Sequence, residues 1–262
     1  MRKRPLGQNF LIDLNIAQDI IQLAHIKPGE PVVEIGPGKG VLTQTLINQA
    51  DSLTAIELDP QLSKDLQNRF GHIPSFKLVE GDAAKFDYTC LGVGLKIVSN
   101  LPYYAATHIM KKLIHYREQI HSMTLMLQKE VVDRLTAKPG QKEYGSLSVY
   151  VQYFCEVQRL LEIPNTAFSP KPKINSSLIC LKPLAQPKVH VENPKLFFKL
   201  VNSAFFHKRK MLKNNLRDWE YLFNKENGYA QLAGIDLSRR GETLSLEDFA
   251  GLANHVHSVS AT

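Results

Sequence analysis

Apolar residues in the first half of the chain alternate between two rhythms. Ile16, Ile20 and Leu23 fall at helical spacing behind Asp13, whose short carboxylate suits an N-cap, so an amphipathic helix is expected over 14–25. Lys27-Pro28-Gly29-Glu30 turns the chain, and Pro31–Ile35 is a short β-rich run ending at Gly36-Pro37-Gly38-Lys39-Gly40. The helical period resumes over Val41–Asn48. The move recurs with Ser52–Glu57 before a helix at Leu62–Phe70, with Phe76–Glu80 before Gly81-Asp82-Ala83, and with Lys96–Ser99 before Asn100. Strands alternating with helices predict a parallel, doubly wound, Rossmann-like α/β sheet.

Met123–Leu127 reads as a further strand and Lys129–Ala137 as a polar helix. Two later β-rich runs, Val149–Tyr153 and Ser177–Leu181, flank Ile163–Ile174, whose repeated prolines exclude central sheet or helix and predict a loop. Pro183–Pro187 reads as a linker. Beyond it Leu196, Leu200 and Ala204 recur every four residues, and Ser245 with Asp248 opens a last helix by a capping-box-like arrangement. The expected organisation is an α/β domain over 1–183 and a small all-helical domain over 188–262.

Charge adds a partner to this picture. The 262 residues carry a net charge of +7. Between Ile163 and Arg217 the one acid, Glu192, faces Lys171, Lys173, Lys182, Lys188, Lys195, Lys199, Lys208, Arg209, Lys210, Lys213 and Arg217. Arg2-Lys3-Arg4 is likewise unopposed until Asp13. A single basic run is usually a solvated face, but two acid-poor stretches point to nucleic acid. The sequence has no apolar stretch of membrane-spanning length, and Met-Arg-Lys-Arg-Pro lacks the apolar block of a signal peptide, so a cytoplasmic protein is expected. Cys90, Cys155 and Cys180 are too widely spaced for a disulfide framework or a metal site and are expected to be ordinary buried thiols; the histidines show no metal-type spacing either.

The strand ends carry the candidate chemistry, because open α/β sheets bind ligands at their carboxyl edge. Gly36 and Gly38 open a close approach to the main chain, Glu57 ends the second strand where a carboxylate can accept both ribose hydroxyls, and Asp82, beside Ala83, can accept from an adenine amino group. Together they describe a pocket for an adenosine-containing cofactor. Gly-Pro-Gly-Lys-Gly sets its third glycine one place early for a dinucleotide fingerprint, and no Lys-Ser/Thr follows as a P-loop requires. S-adenosylmethionine, which has no pyrophosphate, fits better.

Asn100-Leu101-Pro102-Tyr103 then falls at the same edge. The exocyclic amine of a base is a poor nucleophile because its lone pair is delocalised into the ring. Acceptors for its two N–H bonds, the Asn100 side-chain carbonyl and the Leu101 main-chain carbonyl, can draw the nitrogen toward tetrahedral geometry and free that lone pair. Pro102 fixes the backbone direction, and Tyr103 offers an aromatic face to the base and to a cationic methyl donor. Such a pocket requires a single-stranded, looped or flipped base, and Phe168 in the proline-rich loop is a candidate to stack opposite Tyr103. The quartet reads as a device for methylating a base amine.

The ordered set Gln8-Asn9-Phe10-Leu11, Glu34-Ile-Gly-Pro-Gly-Lys-Gly40, Glu57-Leu-Asp59, Gly81-Asp82-Ala83, Asn100-Leu-Pro-Tyr103, Ala167-Phe168-x-Pro170-x-Pro172-Lys173 and Lys208-Arg209-Lys210 resembles the rRNA adenine N6,N6-dimethyltransferases, and most of all their bacterial small-subunit branch, over essentially the whole chain. The resemblance implies a class I S-adenosylmethionine-dependent methyltransferase that dimethylates two adjacent adenosines in a hairpin loop near the 3′ end of 16S rRNA during small-subunit biogenesis. It also implies that Asn9 and Leu11 line the methionine side of the cofactor, and that the Lys208–Arg217 region grips rRNA phosphates. Tyr104-Ala105-Ala106 and Asn165-Thr166 depart from the usual Asn-Ile-Ser and Pro-Gly of the family beside the base pocket. Rival readings are a large-subunit rRNA methyltransferase conferring antibiotic resistance, a DNA adenine methyltransferase, disfavoured by the lack of a target-recognition insert, and a non-catalytic nucleic-acid-binding factor on the same fold. A monomer is expected, with no metal.

Overall fold

The computed structural model describes residues 9–217, 219, 231–232 and 234–260. Arg2-Lys3-Arg4 and Gln8 lie outside the described residues. By internal contacts the chain forms two compact units, one running through Val132 and adding Glu156–Ala185, the other made of Asp133–Cys155 and the residues from Gln186 onward.

The first unit alternates strands and helices: β1 (Phe10–Leu11), α1 (Leu14–Ala24), β2 (Pro31–Ile35), α2 (Val41–Ile47), β3 (Ser52–Glu57), α3 (Pro60–Phe70), β4 (Phe76–Glu80), β5 (Leu95–Asn100), α4 (Ala106–His115), β6 (Ile120–Gln128), α5 (Lys129–Thr136, which crosses into the second unit), β7 (Cys155–Ile163), β8 (Phe168–Ser169) and β9 (Ser176–Pro183). Seven strands form one sheet in the order β4-β3-β2-β5-β6-β9-β7. Strands β4, β3, β2, β5 and β6 are mutually parallel, and β9 joins β6 antiparallel. The nearly continuous burial of β2, β3, β5 and β6 fits a sheet covered on both faces. Order reverses at β2, whose neighbours are β3 and β5, so the site-bearing loops gather where such a switch places ligands.

Local chemistry sets the helix starts. Asp13 accepts from the Asn15 and Ile16 amides at 2.9 and 3.2 Å, and Asp59 caps α3 by accepting from Gln61 at 2.8 Å with Pro60 in its first turn. Lys96, buried in β5, donates to the Ala24 and His25 carbonyls at 3.2 and 3.1 Å, neutralising the C-terminal end of α1.

The second unit contains α6 (Ser146–Phe154), α7 (Pro194–Ala204), α8 (Leu212–Asn215), a two-residue pairing of Gln231–Leu232 with Ile235–Asp236, and α9 (Leu246–Ser260). The reciprocal bonds between Ser245 and Asp248, 3.0 and 3.1 Å, realise the expected capping box. Among the described residues no helix is long and apolar enough to cross a membrane.

Three expectations are corrected. Val149–Tyr153 is helical, as part of α6. Val149 and Tyr153 fall four residues apart on one face and pack into a core with Tyr144, Phe197, Leu200 and Phe249, so tertiary burial overrides the β-propensity of a Val/Tyr-rich run. The same core draws 133–155, placed by sequence in the first domain, into the second unit. Cys90 is exposed rather than buried, with its thiol donating to the Asp87 carbonyl. Cys155 is buried and Cys180 half-buried.

Candidate active site

A cleft opens at the carboxyl ends of β2 to β5. Its walls include Asn9, Leu11, Gly36, Gly38, Glu57, Asp82, Ala83 and the whole quartet Asn100-Leu101-Pro102-Tyr103. Apart from Asn9 and Leu11, which stand before and in β1, each sits at or just beyond the end of a strand, where the chain leaves the regular ladder.

The glycine loop is shaped as much by the protein as for a ligand. Gly38 adopts φ 57°, and a Cβ there would lie 2.9 Å from the Phe10 ring. Gly40, at φ 77°, would clash with Leu66 and Phe70 of α3, each at 2.9 Å. Both positions therefore demand glycine on steric and conformational grounds. Glu57 clamps the loop: it accepts from the Gly38 amide at 3.0 Å and from the Asp59 amide at 2.9 Å. Burial raises its proton affinity, and donation from Asp59, Gly38 and Leu58 works against that rise.

Glu34 opens the segment that carries the glycines. It is 1 % exposed, lies in β2 beneath the loop, and accepts from the Thr43 hydroxyl of α2 at 2.7 Å. An acid interrupting the apolar run Pro-Val-Val-Glu-Ile was the available signal. Burial pushes its pKa up to about 8, against the Thr43 hydrogen bond and with help from the charge of Glu57. Glu34 thus holds its proton more tightly folded than unfolded. Folding takes up a proton between the ordinary carboxylate range and about pH 8, and stability falls as pH rises through that window. Glu34→Gln is expected to remove this part of the dependence. Urea melts at pH 6 and pH 8.5 should show the wild type losing on the order of 2 kcal/mol more than the variant between the two.

At the other end of the cleft, the Asn100 amide nitrogen reaches the Asn9 carbonyl at 3.4 Å, which turns its side-chain oxygen away from that contact. The Leu101 side chain is buried and its N–H goes to the Met126 carbonyl at 3.3 Å, so Leu101 faces the cleft with backbone. Pro102 lies over Gly36, 3.6 Å from where a Cβ would stand, and its carbonyl accepts from Ala105 at 3.0 Å to close a turn. Tyr103 is pinned through its hydroxyl to Ser176 of β9 at 2.6 Å, a partner that no sequence signal announced. Asp82 accepts from the Ala84 amide at 2.9 Å, and the Ala83 carbonyl accepts from Tyr88 at 3.0 Å.

Phe168 is not brought into this company. Pairing of β8 with β1 sets it opposite Leu11, and the ring is 3 % exposed in a core with Leu11, Met126 and Leu178. It does not form part of the cleft wall. To stack on a base, the ring would have to leave that core. Among the described residues no group of three or more His, Cys, Asp or Glu side chains is gathered to hold a metal ion.

The donor set discriminates between cofactors. The Gly38 amide, which a pyrophosphate would need, is already held by a carboxylate, and Glu57 and Asp82 bring two carboxylates to the cleft wall, on which Lys39 and Lys85 also stand. A phosphate would find that amide occupied, whereas an adenosine carrying a cationic sulfonium suits the acceptors. A doubly wound sheet with such a cleft defines a class I methyltransferase.

Comparison with known proteins narrows the class. The sequence profile of the family described as Ribosomal RNA adenine dimethylase matches residues 1–257, and the chain belongs to that family. It is 42 % identical over 259 residues to the Ribosomal RNA small subunit methyltransferase A of Clostridium botulinum (strain Kyoto / Type A2), covering 97 % of this chain and 94 % of that one. It is 40 % identical over 262 residues to the protein of the same name from Oceanobacillus iheyensis, covering 96 % and 89 %. Among solved structures, a dimethyladenosine transferase from Plasmodium falciparum superposes with a TM-score of 0.80 at 25 % identity, over 96 % of this chain and 98 % of that chain. The 23S rRNA methyltransferase ErmE shares the fold, with a TM-score of 0.74 at 22 % identity over 95 % of this chain and 100 % of that one. The chain is an rRNA adenine dimethyltransferase.

Proposed function

We propose that this enzyme transfers methyl groups from S-adenosylmethionine to the N6 amines of two adjacent adenosines in a hairpin loop near the 3′ end of 16S rRNA, giving N6,N6-dimethyladenosines as the small ribosomal subunit matures. The observation that carries the reading is the Asn100 carboxamide, tethered through its nitrogen to the Asn9 carbonyl at the cleft's edge. Its oxygen is thereby left to accept from an incoming base amine, with the Leu101 carbonyl as second acceptor. The relatives named for the small subunit support the choice of RNA.

In this reading the methyl donor supplies an electrophilic carbon on a sulfonium. Glu57 accepts the ribose hydroxyls, Asp82 and the backbone beside Ala83 meet the adenine, and Asn9, Leu11 and the Gly36–Gly38 loop border the methionine end. Tyr103, held by Ser176, presents its ring to the target base. No general base of shifted pKa is required, because the amine loses its proton after attack. The protein's work is orientation and charge matching.

Domain roles follow from charge. The α/β unit would carry transfer, and the second unit, where Lys208, Arg209, Lys210, Lys213 and Arg217 are all exposed, would hold RNA phosphates. Replacing Lys208, Arg209 and Lys210 together with Ala is expected to weaken RNA binding and to lower the slope of log affinity against log salt by about 2 to 3. Filter binding across a salt series reads this directly, and an unchanged slope would move the RNA surface elsewhere.

The target is tested by supplying labelled methyl donor with unmethylated small subunits, large subunits and naked rRNA. Label confined to small-subunit RNA is the expected result. Label in large subunits would contradict the reading.

A further inference from the structure

Two successive tyrosines leave β5, and they serve different neighbours. Tyr103 is half-buried and fixed to Ser176 of β9. Tyr104 lines the same cleft but is 59 % exposed, among the most exposed large apolar side chains of the first unit. The cleft wall it belongs to includes Leu58, itself 47 % exposed, and the carboxylates of Glu57 and Asp82. After burial, those two carboxylates are the causes that raise the Tyr104 hydroxyl pKa, so its charged form feels both. An exposed aromatic ring at the mouth of a cavity has no folding role to explain it. Solvent-facing apolar surface inside a cleft marks where a ligand's own apolar face belongs.

We infer that Tyr104 is a positioning residue for the cofactor, its ring closing over the adenosine half from the open side of the cleft while Glu57 and Asp82 hold the polar edges. The inference rests on the proposed use of S-adenosylmethionine. A planar ring lying on a planar nucleoside removes both from water and adds aromatic stacking, which no contact of the bare backbone at this loop could supply. The neighbouring Ala105 and Ala106 are small, and Ala105 occupies the N-cap position of α4 without a side-chain cap bond. Tyr103 and Tyr104 then divide the two planar ligands between them, Tyr103 taking the base to be modified and Tyr104 the cofactor.

The test is calorimetric binding of S-adenosylhomocysteine and of 5′-methylthioadenosine, without RNA, to wild type, Tyr104→Ala and Tyr104→Phe. Neither probe can react, so the readout is independent of transfer. Tyr104→Ala is expected to weaken both probes by about five- to tenfold, and Tyr104→Phe to stay within about twofold of wild type, because the ring and not the hydroxyl does the stacking. Equal losses on the two probes place the effect on the adenosine half. Thermal melts matching wild type separate the effect from damage to the fold. Unaltered affinity in Tyr104→Ala, against a wild type that binds, overturns the inference alone. A wild type that binds neither probe overturns the cofactor reading and the inference with it.

Discussion

Asn100→Ala is expected to lower the rate of methyl transfer, at saturating donor and RNA, by at least about a hundredfold while S-adenosylhomocysteine affinity stays within about threefold of wild type. In the proposed reaction the substitution removes the acceptor that meets the base amine as its lone pair is released. That interaction strengthens as the nitrogen becomes tetrahedral, so its loss falls on the chemical step rather than on binding. The fold loses little, because the bond that the Asn100 side-chain nitrogen makes to Asn9 is long at 3.4 Å. Single-turnover transfer assays and calorimetry on the same preparation separate the two effects. A large fall in cofactor affinity with a nearly normal rate would show that Asn100 belongs to the cofactor instead.

Glu57→Ala is expected to do the reverse. The carboxylate holds the Gly38 and Asp59 amides at 3.0 and 2.9 Å, and in the proposed complex also accepts the ribose hydroxyls. Each hydrogen bond to a charged group is worth roughly 1.5–3 kcal/mol, so losing the ribose contacts and the loop clamp together should weaken S-adenosylhomocysteine by about a hundredfold. Because the reacting methyl sits on the sulfonium, several bonds from the 2′ and 3′ hydroxyls that Glu57 would hold, the rate at saturating donor should fall far less. Calorimetric titration decides it: an affinity within about threefold of wild type would remove Glu57 from the site.

These two residues, with Asp82, were legible in the sequence because a strand's end is where its apolar run breaks, and the break was marked each time by a polar residue at the edge that lines the cleft. The glycines were legible as a turn, but not the reason for each: Gly38 makes room for Phe10, and Gly40 for Leu66 and Phe70, contacts set by chain far away in sequence. The setting of Phe168 was hidden for a related reason: two residues of its loop pair with β1 and carry the ring into the core. Val149–Tyr153 had strand composition and was claimed by a helical core that no local window reveals. Asn9 was reachable by family resemblance alone, because what it contributes to Asn100 is a main-chain carbonyl, which any residue carries. Ser176 left no trace for the same kind of reason: a lone serine has no pattern until Tyr103 is beside it.

In the proposed reaction the Asn100 cleft dimethylates the N6 amine of adenosine. The most direct test incubates the purified protein with unmethylated small subunits and S-adenosylmethionine, digests the RNA to nucleosides, and separates the methylated adenosines by chromatography and mass spectrometry against authentic standards. N6,N6-dimethyladenosine formed by the wild type, and absent with Asn100→Ala, is the predicted result. A methylated base of another kind, or dimethyladenosine that persists undiminished in Asn100→Ala, would contradict it.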